Sequence, residues 1–453
     1  MAINFSRSDF PEGFVFGTAT AAYQIEGSAY GQCGPSHWDT FAATPGNVAN
    51  GESGSIACDH FHRFEQDLDL VQACGFDSYR FSTSWARIMP DGRNINEEGL
   101  DFYDRLADAI CARNLKPNLT LYHWDLPSAL SDIGGWANRD TPERFVDHTN
   151  AVIQRIGDRM EAVSTINEPW CVAWLSYFLG HHAPGLQDIR AAARAMHHVL
   201  LAHGLSAQSI RSVGNSKLGI VLNLTEAQSV STDPADLVAK ERLDGIHNRW
   251  FLDAIIKGVY PEDILKELGK YMPTDFEEDM KLISAPIDWL GINYYTRGIV
   301  ASDPSTPWPS IKNVDGPLEK TQMGWEIYPD GLKNLLVRLN RDYTGKLPLM
   351  ITENGMAWAD QLNNGSVCDG VRSDYISAHL GAAKAAIDAG VNLKGFFYWS
   401  LLDNFEWAFG YGKRFGLVHV DYETQRRTPK ASYHDWAASL KSVSYTHLRA
   451  HET

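Results

Sequence analysis

Residues 116–124 of this chain read KPNLTLYHW, and residues 162–169 read AVSTINEP. Both are short runs rich in β-branched, aromatic and other apolar residues, which favours buried strands. Both also end in polar side chains, at His123-Trp124 and at Asn167-Glu168. Segments with a helical spacing of apolar residues separate such runs along the chain. Strands that alternate with helices indicate a parallel sheet of the α/β class.

The same pattern occurs eight times in the 453 residues. The strand-like runs are Phe14–Ala22, Asp77–Trp85, Lys116–Trp124, Ala162–Pro169, Lys217–Thr225, Asp288–Thr296, Leu347–Gly355 and Asn392–Trp399. The clearest helix-like segments are Phe61–Cys74, Gly99–Arg113, Ile189–Ile210, Asp330–Leu339 and Asp374–Ala389. Eight strand–helix units predict a closed (β/α)8 TIM barrel, and a doubly wound sheet with an appended domain is the alternative.

The chain shows no linker rich in Pro, Gly or Ser, so we predict a single barrel domain over residues 1–443. Residues 444–453 (SYTHLRAHET) lack periodicity and are predicted to be a disordered or foreign tail. Two long stretches, Cys33–Asp59 and Thr296–Met323, read as irregular. In a barrel such segments are long loops at the C-terminal face, where functional sites are built.

Charge and composition exclude several classes of partner. The net charge is -16 and no Lys/Arg stripe is present, so we expect neither nucleic acid nor an anionic membrane as a partner. No run of 18 apolar residues and no basic-then-apolar start is seen, which favours a cytoplasmic protein. The six cysteines lack Cys-x-x-Cys spacing and are expected to be buried thiols in a reducing compartment rather than disulfides. The His181-His182 and His197-His198 pairs lack metal-ligand spacing, so we predict no metal.

Polar and aromatic residues gather where the eight runs end. Barrel enzymes place their functional groups at these strand ends, where side chains from many strands converge on one pocket. Aromatic faces stack on sugar rings, and amides and carboxylates bind hydroxyl groups, so the pooled composition favours a carbohydrate site. The residues are Gln24, Glu26, Arg80, His123, Trp124, Asp125, Asn167, Glu168, Asn223, Asn293, Tyr294, Tyr295, Glu353, Asn354, Trp399, Asp403, Asn404, Glu406 and Trp407.

Two of these residues suit a catalytic pair. Alone, the string around Glu168 or the Glu-Asn-Gly at Glu353 is weak evidence, because both are also turn sequences. However, each follows an apolar strand, and the two strands are the fourth and seventh of eight. Three strand steps around a small barrel bring their ends to opposite sides of the pocket. That arrangement suits two carboxylates that flank a bond.

Three motifs, in this order, resemble those of glycoside hydrolase family 1, the β-glucosidase family, and the resemblance extends from about Phe10 to about Trp436. Residues 14–27 (FVFGTATAAYQIEG) resemble the family's opening signature, 165–169 (TINEP) its acid/base motif and 351–355 (ITENG) its nucleophile motif. The resemblance implies a retaining β-glucosidase acting on cellobiose and aryl β-glucosides without a cofactor. Glu168 would be its proton donor and Glu353 its nucleophile.

The resemblance also assigns supporting roles. Arg80 and Tyr295 would hold the Glu353 carboxylate, and Asn167 would bind the 2-hydroxyl of the sugar. The non-reducing sugar would contact Gln24, His123, Asn167, Glu406 and Trp407 on a floor formed by Trp399, with Trp124, Asn223, Asn293, Tyr295 and Phe415 as further substrate-binding residues. Trp170, Trp174, Leu175 and Trp325 are expected to line the aglycone entrance.

Two expectations concern Glu168 itself. Desolvation and a neighbouring negative charge should raise its pKa, so that it is protonated near neutrality while Glu353 is ionised. Pro169 disfavours the helical region for the residue before it, so we predict an extended backbone at Glu168.

Several alternatives stay open at this point. A 6-phospho-β-glucosidase is disfavoured because Glu406 would repel a phosphate, and a thioglucosidase because the acid Glu168 is present. β-Galactosides and β-fucosides are further expected substrates. A non-catalytic sugar-binding barrel is the alternative from another class, and the retention of both Glu168 and Glu353 argues against it.

Overall fold

Eight parallel strands close into a barrel in the computed structural model, which describes residues 3–213 and 216–441. The strands are β1 (Val15–Ala19), β2 (Ser78–Ser82), β3 (Lys116–Tyr122), β4 (Ala162–Asn167), β5 (Lys217–Asn223), β6 (Trp289–Asn293), β7 (Leu349–Asn354) and β8 (Leu393–Trp399). Each lies within one predicted run and pairs with its neighbours in chain order. The (β/α)8 prediction is confirmed, and the doubly wound alternative is wrong.

The barrel closes where β1 meets β8. Val15 is paired with Gly395 and Ala19 with Trp399, in parallel register. Gly17 lies inside this seam, and a Cβ on it would stand 2.4 Å from the Phe397 ring. The close approach therefore requires glycine here, because any side chain would push the two strands apart.

Helices connect the strands and cover the barrel from outside. Those of the described residues are α1 (Ala22–Ile25), α2 (His37–Ala43), α3 (His60–Cys74), α4 (Trp85–Ile88), α5 (Glu97–Ala112), α6 (Ser128–Ser131), α7 (Thr141–Ile156), α8 (Ile189–Val213), α9 (Pro234–Asp244), α10 (Trp250–Leu252), α11 (Glu262–Leu268), α12 (Phe276–Ile283), α13 (Pro329–Leu339), α14 (Gly370–Asp388) and α15 (Ala431–Lys441). The five predicted helical segments fall in α3, α5, α8, α13 and α14, so they are confirmed.

The two stretches predicted as irregular are partly regular. Cys33–Asp59 contains α2, whose N-cap Ser36 and third residue Asp39 form a capping box. Thr296–Met323 contains the strands Arg297–Ser302 and Ile311–Asn313, which form a small sheet with Glu226–Ser229. This sheet lies outside the barrel, so its short strands lack the buried apolar runs that marked the other eight.

A hairpin and the helix α15 follow the last strand of the barrel. A hairpin, Val418–Asp421 with Arg426–Pro429, precedes α15. The predicted tail, 444–453, lies outside the described residues. All six cysteines are free thiols as predicted, but the predicted burial is wrong for Cys111 and Cys368, which are exposed, and for Cys33, which is half-buried. Within residues 3–213 and 216–441, no helix has the length and apolar character needed to cross a bilayer.

Candidate active site

Two buried glutamates lie at the carboxyl ends of opposite strands. Glu168 follows β4 and is 5% exposed, and Glu353 is on β7 and is 3% exposed. Arg80 Nη1 donates to Glu353 Oε1 at 2.6 Å, and the Tyr295 hydroxyl donates to Oε2 at 2.7 Å. Asn293 Nδ2 donates to Glu168 Oε1 at 2.6 Å. A cation and a hydroxyl therefore hold Glu353, whereas a neutral amide holds Glu168.

The predicted extended backbone at Glu168 is wrong. Its φ is 52°, in the left-handed region, which costs a non-glycine residue about 1–2 kcal/mol. Its N–H donates to the Val221 carbonyl of β5 at 2.8 Å, and its carbonyl accepts from the Val172 N–H at 3.1 Å. These bonds turn the chain from strand directly into a helical turn. Such strain is concentrated at functional sites, where it fixes the direction of a side chain.

Asn167 is hydrogen-bonded to Arg80, which holds Glu353, and to Asn293, which holds Glu168. Its Oδ1 accepts from Arg80 Nη2 at 2.7 Å and from Asn293 Nδ2 at 3.1 Å. Its Nδ2 lies 3.2 Å from His123 Nε2, and its backbone carbonyl accepts from Trp124 Nε1 at 2.9 Å. These contacts fix the orientation of the Asn167 amide. Nδ2 carries two protons and His123 accepts one, which leaves the other for a ligand.

His123 is a neutral imidazole, and one of its two ring nitrogens has no partner among the described residues. Burial and the Arg80 cation lower the pKa of His123 well below its usual value. Because Nε2 accepts from Asn167, the ring proton is on Nδ1. Nδ1 is buried and has no partner among the described residues. An unpaired buried donor is costly, so this atom is suited to a hydroxyl of a bound ligand.

Gln24 and Glu406 form a second polar corner. Gln24 Nε2 donates to Asn404 Oδ1 at 3.0 Å, to the Phe405 carbonyl at 2.9 Å and to Glu406 Oε2 at 3.4 Å. Gln24 Oε1 is then a buried acceptor without a partner in the described part of the chain. Burial, followed by the charges of Glu353 and Glu168, raises the pKa of Glu406 to about 8. Without a ligand, Glu406 is therefore mostly protonated at neutral pH.

Aromatic rings surround this corner. His123 stacks against Trp399 with centroids 5.7 Å apart and against Trp407 at 6.1 Å. Trp124 packs on Trp407 at 4.6 Å, and its indole N–H is already bonded to Asn167. The predicted floor at Trp399 lies beside the polar groups that would bind hydroxyls. Trp124 therefore supports Asn167 and Trp407. Its contact with substrate stays a prediction.

Asn223 is the centre of a further group beyond Glu168. Its Nδ2 donates to Cys171 Sγ at 3.4 Å and lies 3.2 Å from His247 Nε2. His247 stacks on Trp170 with centroids 4.2 Å apart. Asn223 Oδ1 and Trp170 Nε1 are buried without partners in residues 3–213 and 216–441. This side of the pocket therefore offers one acceptor and one donor next to an aromatic face.

Trp325 and Phe415 lie on the side of Glu353. Trp325 packs against Tyr295 with centroids 5.3 Å apart, and Phe415 packs against Tyr295 at 6.2 Å. Tyr295 in turn donates to Glu353. The predicted entrance residue Trp325 is therefore joined to Glu353 through a single side chain, that of Tyr295.

The other two predicted entrance residues lie in the helical segment Cys171–Phe178. Trp174 is 4% exposed and packs against Phe178 at 4.1 Å and Trp308 at 6.1 Å. Leu175 is half-buried. These contacts are not with the carboxyl pair, so the entrance role of both residues stays a prediction.

Four contacts of the site were not predicted. Thr352 Oγ1 donates to Asn293 Oδ1 at 2.7 Å and so orients the amide that binds Glu168. Asn404 accepts from Gln24, and Cys171 and His247 contact Asn223. Thr352 stands inside the ITENG string and could have been found there. His247 lies within the helical segment Gly245–Arg249, with no strand end to mark it.

The two carboxyl groups differ electrostatically. Burial, followed by the charge of Glu353, raises the pKa of Glu168 to about 8, against the opposing effect of Asn293. Burial also raises the pKa of Glu353, but Arg80 and Tyr295 oppose that rise. Because a cation contacts only Glu353, the shared site loses its first proton there. The rise in the pKa of Glu168 has the direction that the sequence predicted.

Comparisons with known proteins agree with this geometry. The family model described as Glycosyl hydrolase family 1 matches residues 6–444. A β-glucosidase of Agrobacterium sp. is 48% identical over 446 residues, covering 96% of this chain and 95% of its own. A bifunctional β-D-glucosidase/β-D-fucosidase of Bifidobacterium breve is 45% identical over 455 residues, covering 94% and 97%. The solved structure of a family 1 β-glucosidase from Thermotoga maritima matches with a TM-score of 0.92 at 43% identity, covering 96% of this chain and 98% of that one.

Proposed function

The chain belongs to glycosyl hydrolase family 1, and from that premise we propose that it is a retaining β-glucosidase. Its substrates would be terminal non-reducing β-D-glucosyl residues, as in cellobiose and aryl β-glucosides. One observation carries the proposal: Arg80 holds Glu353 at 2.6 Å, whereas Glu168 has a raised pKa and a neutral partner. Retaining glycosidases need one ionised and one protonated carboxyl group, about 5 Å apart.

In the first step the Glu353 carboxylate attacks the anomeric carbon from the α face. The bond from that carbon to the glycosidic oxygen breaks, and the oxygen takes the proton of Glu168. Arg80 and Tyr295 hold the attacking carboxylate in place. The products of this step are the free aglycone alcohol and a covalent α-glucosyl ester on Glu353.

In the second step Glu168, now ionised, removes a proton from water. The resulting oxygen attacks the anomeric carbon from the β face, and the bond to Glu353 breaks. The released glucose has the β configuration, because two inversions restore the original one. Glu168 regains its proton, so both carboxyl groups return to their starting states.

The neutral amides and rings would bind the glucose itself. Asn167 Nδ2 has a proton for the 2-hydroxyl, a contact expected to strengthen as the anomeric carbon gains positive charge. His123 Nδ1 supplies a donor and Gln24 Oε1 an acceptor for hydroxyls further round the ring. Trp399 would stack against the apolar face. We further propose that residues 1–443 act as one catalytic domain.

Glu406 bears on which sugars enter. Since the pKa of Glu406 is about 8, this residue repels a phosphate less strongly at neutral pH than a fully ionised glutamate would. Exclusion of a 6-phosphate would then rest on the space that the buried side chain fills. A protonated Glu406 can also donate to a hydroxyl of either 4-epimer. We therefore propose activity on β-galactosides or β-fucosides beside β-glucosides; the Bifidobacterium breve relative carries both glucosidase and fucosidase in its name.

A substrate panel tests the function directly. We expect release of nitrophenol from p-nitrophenyl β-glucoside, weaker release from the β-galactoside and β-fucoside, and none from the 6-phospho-β-glucoside. Product analysis on cellobiose, gentiobiose and lactose would give linkage and glycone preference. Sugar binding without release from any substrate would favour the non-catalytic barrel, and release only from the phosphorylated substrate would favour the 6-phospho-β-glucosidase.

The rate should depend on pH with two limbs. Glu168 must be protonated for the first step, so we expect kcat/KM to fall as the pH rises through about 8. Glu353 must be ionised, and burial raises its pKa, so the acidic limb should lie above the usual glutamate value of about 4.3. The measurement is kcat/KM for p-nitrophenyl β-glucoside between pH 4 and pH 10.

The pKa of Glu406 is also about 8, so variants must show whether the alkaline limb belongs to Glu168 or to Glu406. The alkaline limb should disappear in Glu168→Ala with a dinitrophenyl glucoside, because that leaving group needs no proton. It should persist in Glu406→Gln. The reverse result would assign the limb to Glu406.

A further inference from the structure

Residues 295–297, which follow β6, contact residues 325–326 at three successive points. Tyr295 packs on Trp325 with ring centroids 5.3 Å apart. Thr296 Oγ1 donates to the Glu326 carbonyl at 2.9 Å, and Arg297 Nε donates to Glu326 Oε2 at 2.6 Å. We call this set of three contacts the 295–326 clamp. It joins the segment that carries Tyr295 to the long loop that carries Trp325.

The ion pair of the clamp is buried on the Glu326 side and partly buried on the Arg297 side. The side chains of Arg297 and Glu326 are 12% and 6% exposed. Glu326 Oε1 accepts from the Leu318 N–H at 2.7 Å, and the Arg297 guanidinium lies 4.3 Å from the Tyr328 ring centroid. A Cβ on Gly316 would stand 2.1 Å from Glu326 Oε1, so the loop closes around this carboxylate. Removing the Glu326 charge leaves Arg297 and the Leu318 N–H without their charged partner.

The clamp leads to the reacting carboxylate through one side chain. Tyr295 lies between Trp325 and Glu353, and its hydroxyl donates to Glu353 Oε2 at 2.7 Å. Phe415 packs on Tyr295 and lies 6.3 Å from Trp325, so the three rings form one aromatic cluster. A hydrogen bond weakens steeply when its donor moves, and a displacement of about 1 Å can reduce an enzymatic rate about 100-fold.

We propose that Arg297 and Glu326 are a positioning pair for the nucleophile, which keeps the Tyr295 hydroxyl on Glu353 by holding Trp325 against the tyrosine ring. The proposal rests on the proposed function of Glu353. Neither Arg297 nor Glu326 touches the substrate in it; they act through Tyr295. The Arg297–Glu326 pair is thus a second control over the Glu353 carboxylate, in addition to Arg80.

The clamp should affect one limb of the pH profile and leave the other. The groups that face Glu353 are Arg80, Glu168, Tyr295, Glu406 and Cys171. Of these five groups, the 295–326 clamp contacts Tyr295 directly. Loss of its hydrogen bond to the ionised carboxylate raises the pKa of Glu353. The acidic limb of kcat/KM then moves to higher pH, while the alkaline limb, which belongs to Glu168, stays in place.

The test compares Glu326→Gln with Asp315→Asn. The first removes the charge but keeps the shape of the buried carboxyl. The second does the same to an ion pair of the same loop, Asp315 with Lys320, whose aspartate is 90% exposed. For Glu326→Gln we expect kcat on p-nitrophenyl β-glucoside to fall about ten-fold and the acidic limb to rise by at least about half a pH unit. Asp315→Asn should match the wild type in both.

A double-mutant cycle with Tyr295→Phe separates positioning from general damage. If the pair acts through the tyrosine hydroxyl, Glu326→Gln should have little further effect in the Tyr295→Phe background. Additive losses, or an unmoved acidic limb in Glu326→Gln, would overturn the proposal. Should Glu326→Gln fail to fold, Arg297→Lys takes its place with the same expectations, because lysine keeps the charge but lacks the guanidinium fork. A wild type without glycosidase activity would instead overturn the proposed function itself.

Discussion

Replacing Glu353 with alanine is expected to lower kcat on p-nitrophenyl β-glucoside by on the order of 10⁵-fold, because the covalent step is lost. Azide should restore part of the rate by occupying the space of the carboxylate. It would attack the anomeric carbon from the α face while Glu168 still protonates the leaving group. The product should be the α-glucosyl azide, identified by the coupling constant of its anomeric proton.

The chain offers a matched control for this variant. Glu26 is also a buried glutamate held by an arginine and a tyrosine, with Arg87 Nε at 2.9 Å and the Tyr103 hydroxyl at 2.9 Å. Glu26→Ala removes a carboxylate of the same kind away from the proposed reaction. Azide should not restore activity in that variant. Rescue of both variants, or of neither, would contradict the assignment of Glu353 as nucleophile.

Replacing Glu168 with alanine should produce a loss that depends on the leaving group. Cellobiose needs a proton on its departing oxygen, so its turnover should fall on the order of 10⁴-fold, the upper range for a general acid. A dinitrophenyl glucoside departs without help, so its first step should be almost unchanged. Without the general base, the second step becomes slow and the glucosyl-enzyme should accumulate, detectable by mass spectrometry as an added glucosyl group on Glu353.

Azide again reports the geometry. In Glu168→Ala it should attack the glucosyl-enzyme from the β face, where water normally enters, and yield the β-glucosyl azide. The two variants would then give opposite anomers from the same substrate. If the anomers were exchanged between them, the roles of Glu168 and Glu353 would have to be exchanged as well. Equal losses on cellobiose and on the dinitrophenyl glucoside would exclude Glu168 as the proton donor.

The architecture was predictable because it depends on patterns along the chain. Each of the eight strands lies in an apolar run that ends in polar groups, and burial against helices on the outside requires such a run. Asn167 and Asn293 end their strands and Tyr295 follows one, whereas Arg80 is a charged residue within an apolar run, so the same patterns marked all four. The structure joins these four to the glutamates in one hydrogen-bond network.

The remaining features depend on contacts between distant segments. Pro169 predicted an extended Glu168, but the bonds to Val221 and Val172 outweigh that local preference. His247 reaches the pocket by stacking on Trp170, which no spacing in the sequence indicates. The charge state of Glu406 depends on its burial beside two other carboxyl groups. Each of these requires knowledge of which elements pack together.

The seam between β1 and β8 also sets an order for biosynthesis. Val15 can pair only after Gly395 has been synthesised, and Gln24 can bond only after Asn404 has been. The barrel and the polar corner of Gln24 and Glu406 therefore cannot form until some 380 further residues have left the ribosome. A nascent chain that ends before β8 presents two unpaired sheet edges, which are prone to pairing with other chains. Glu168 is then translated long before Arg80 can meet Glu353. Truncation anywhere before Trp399 should therefore yield an aggregating chain rather than a smaller enzyme.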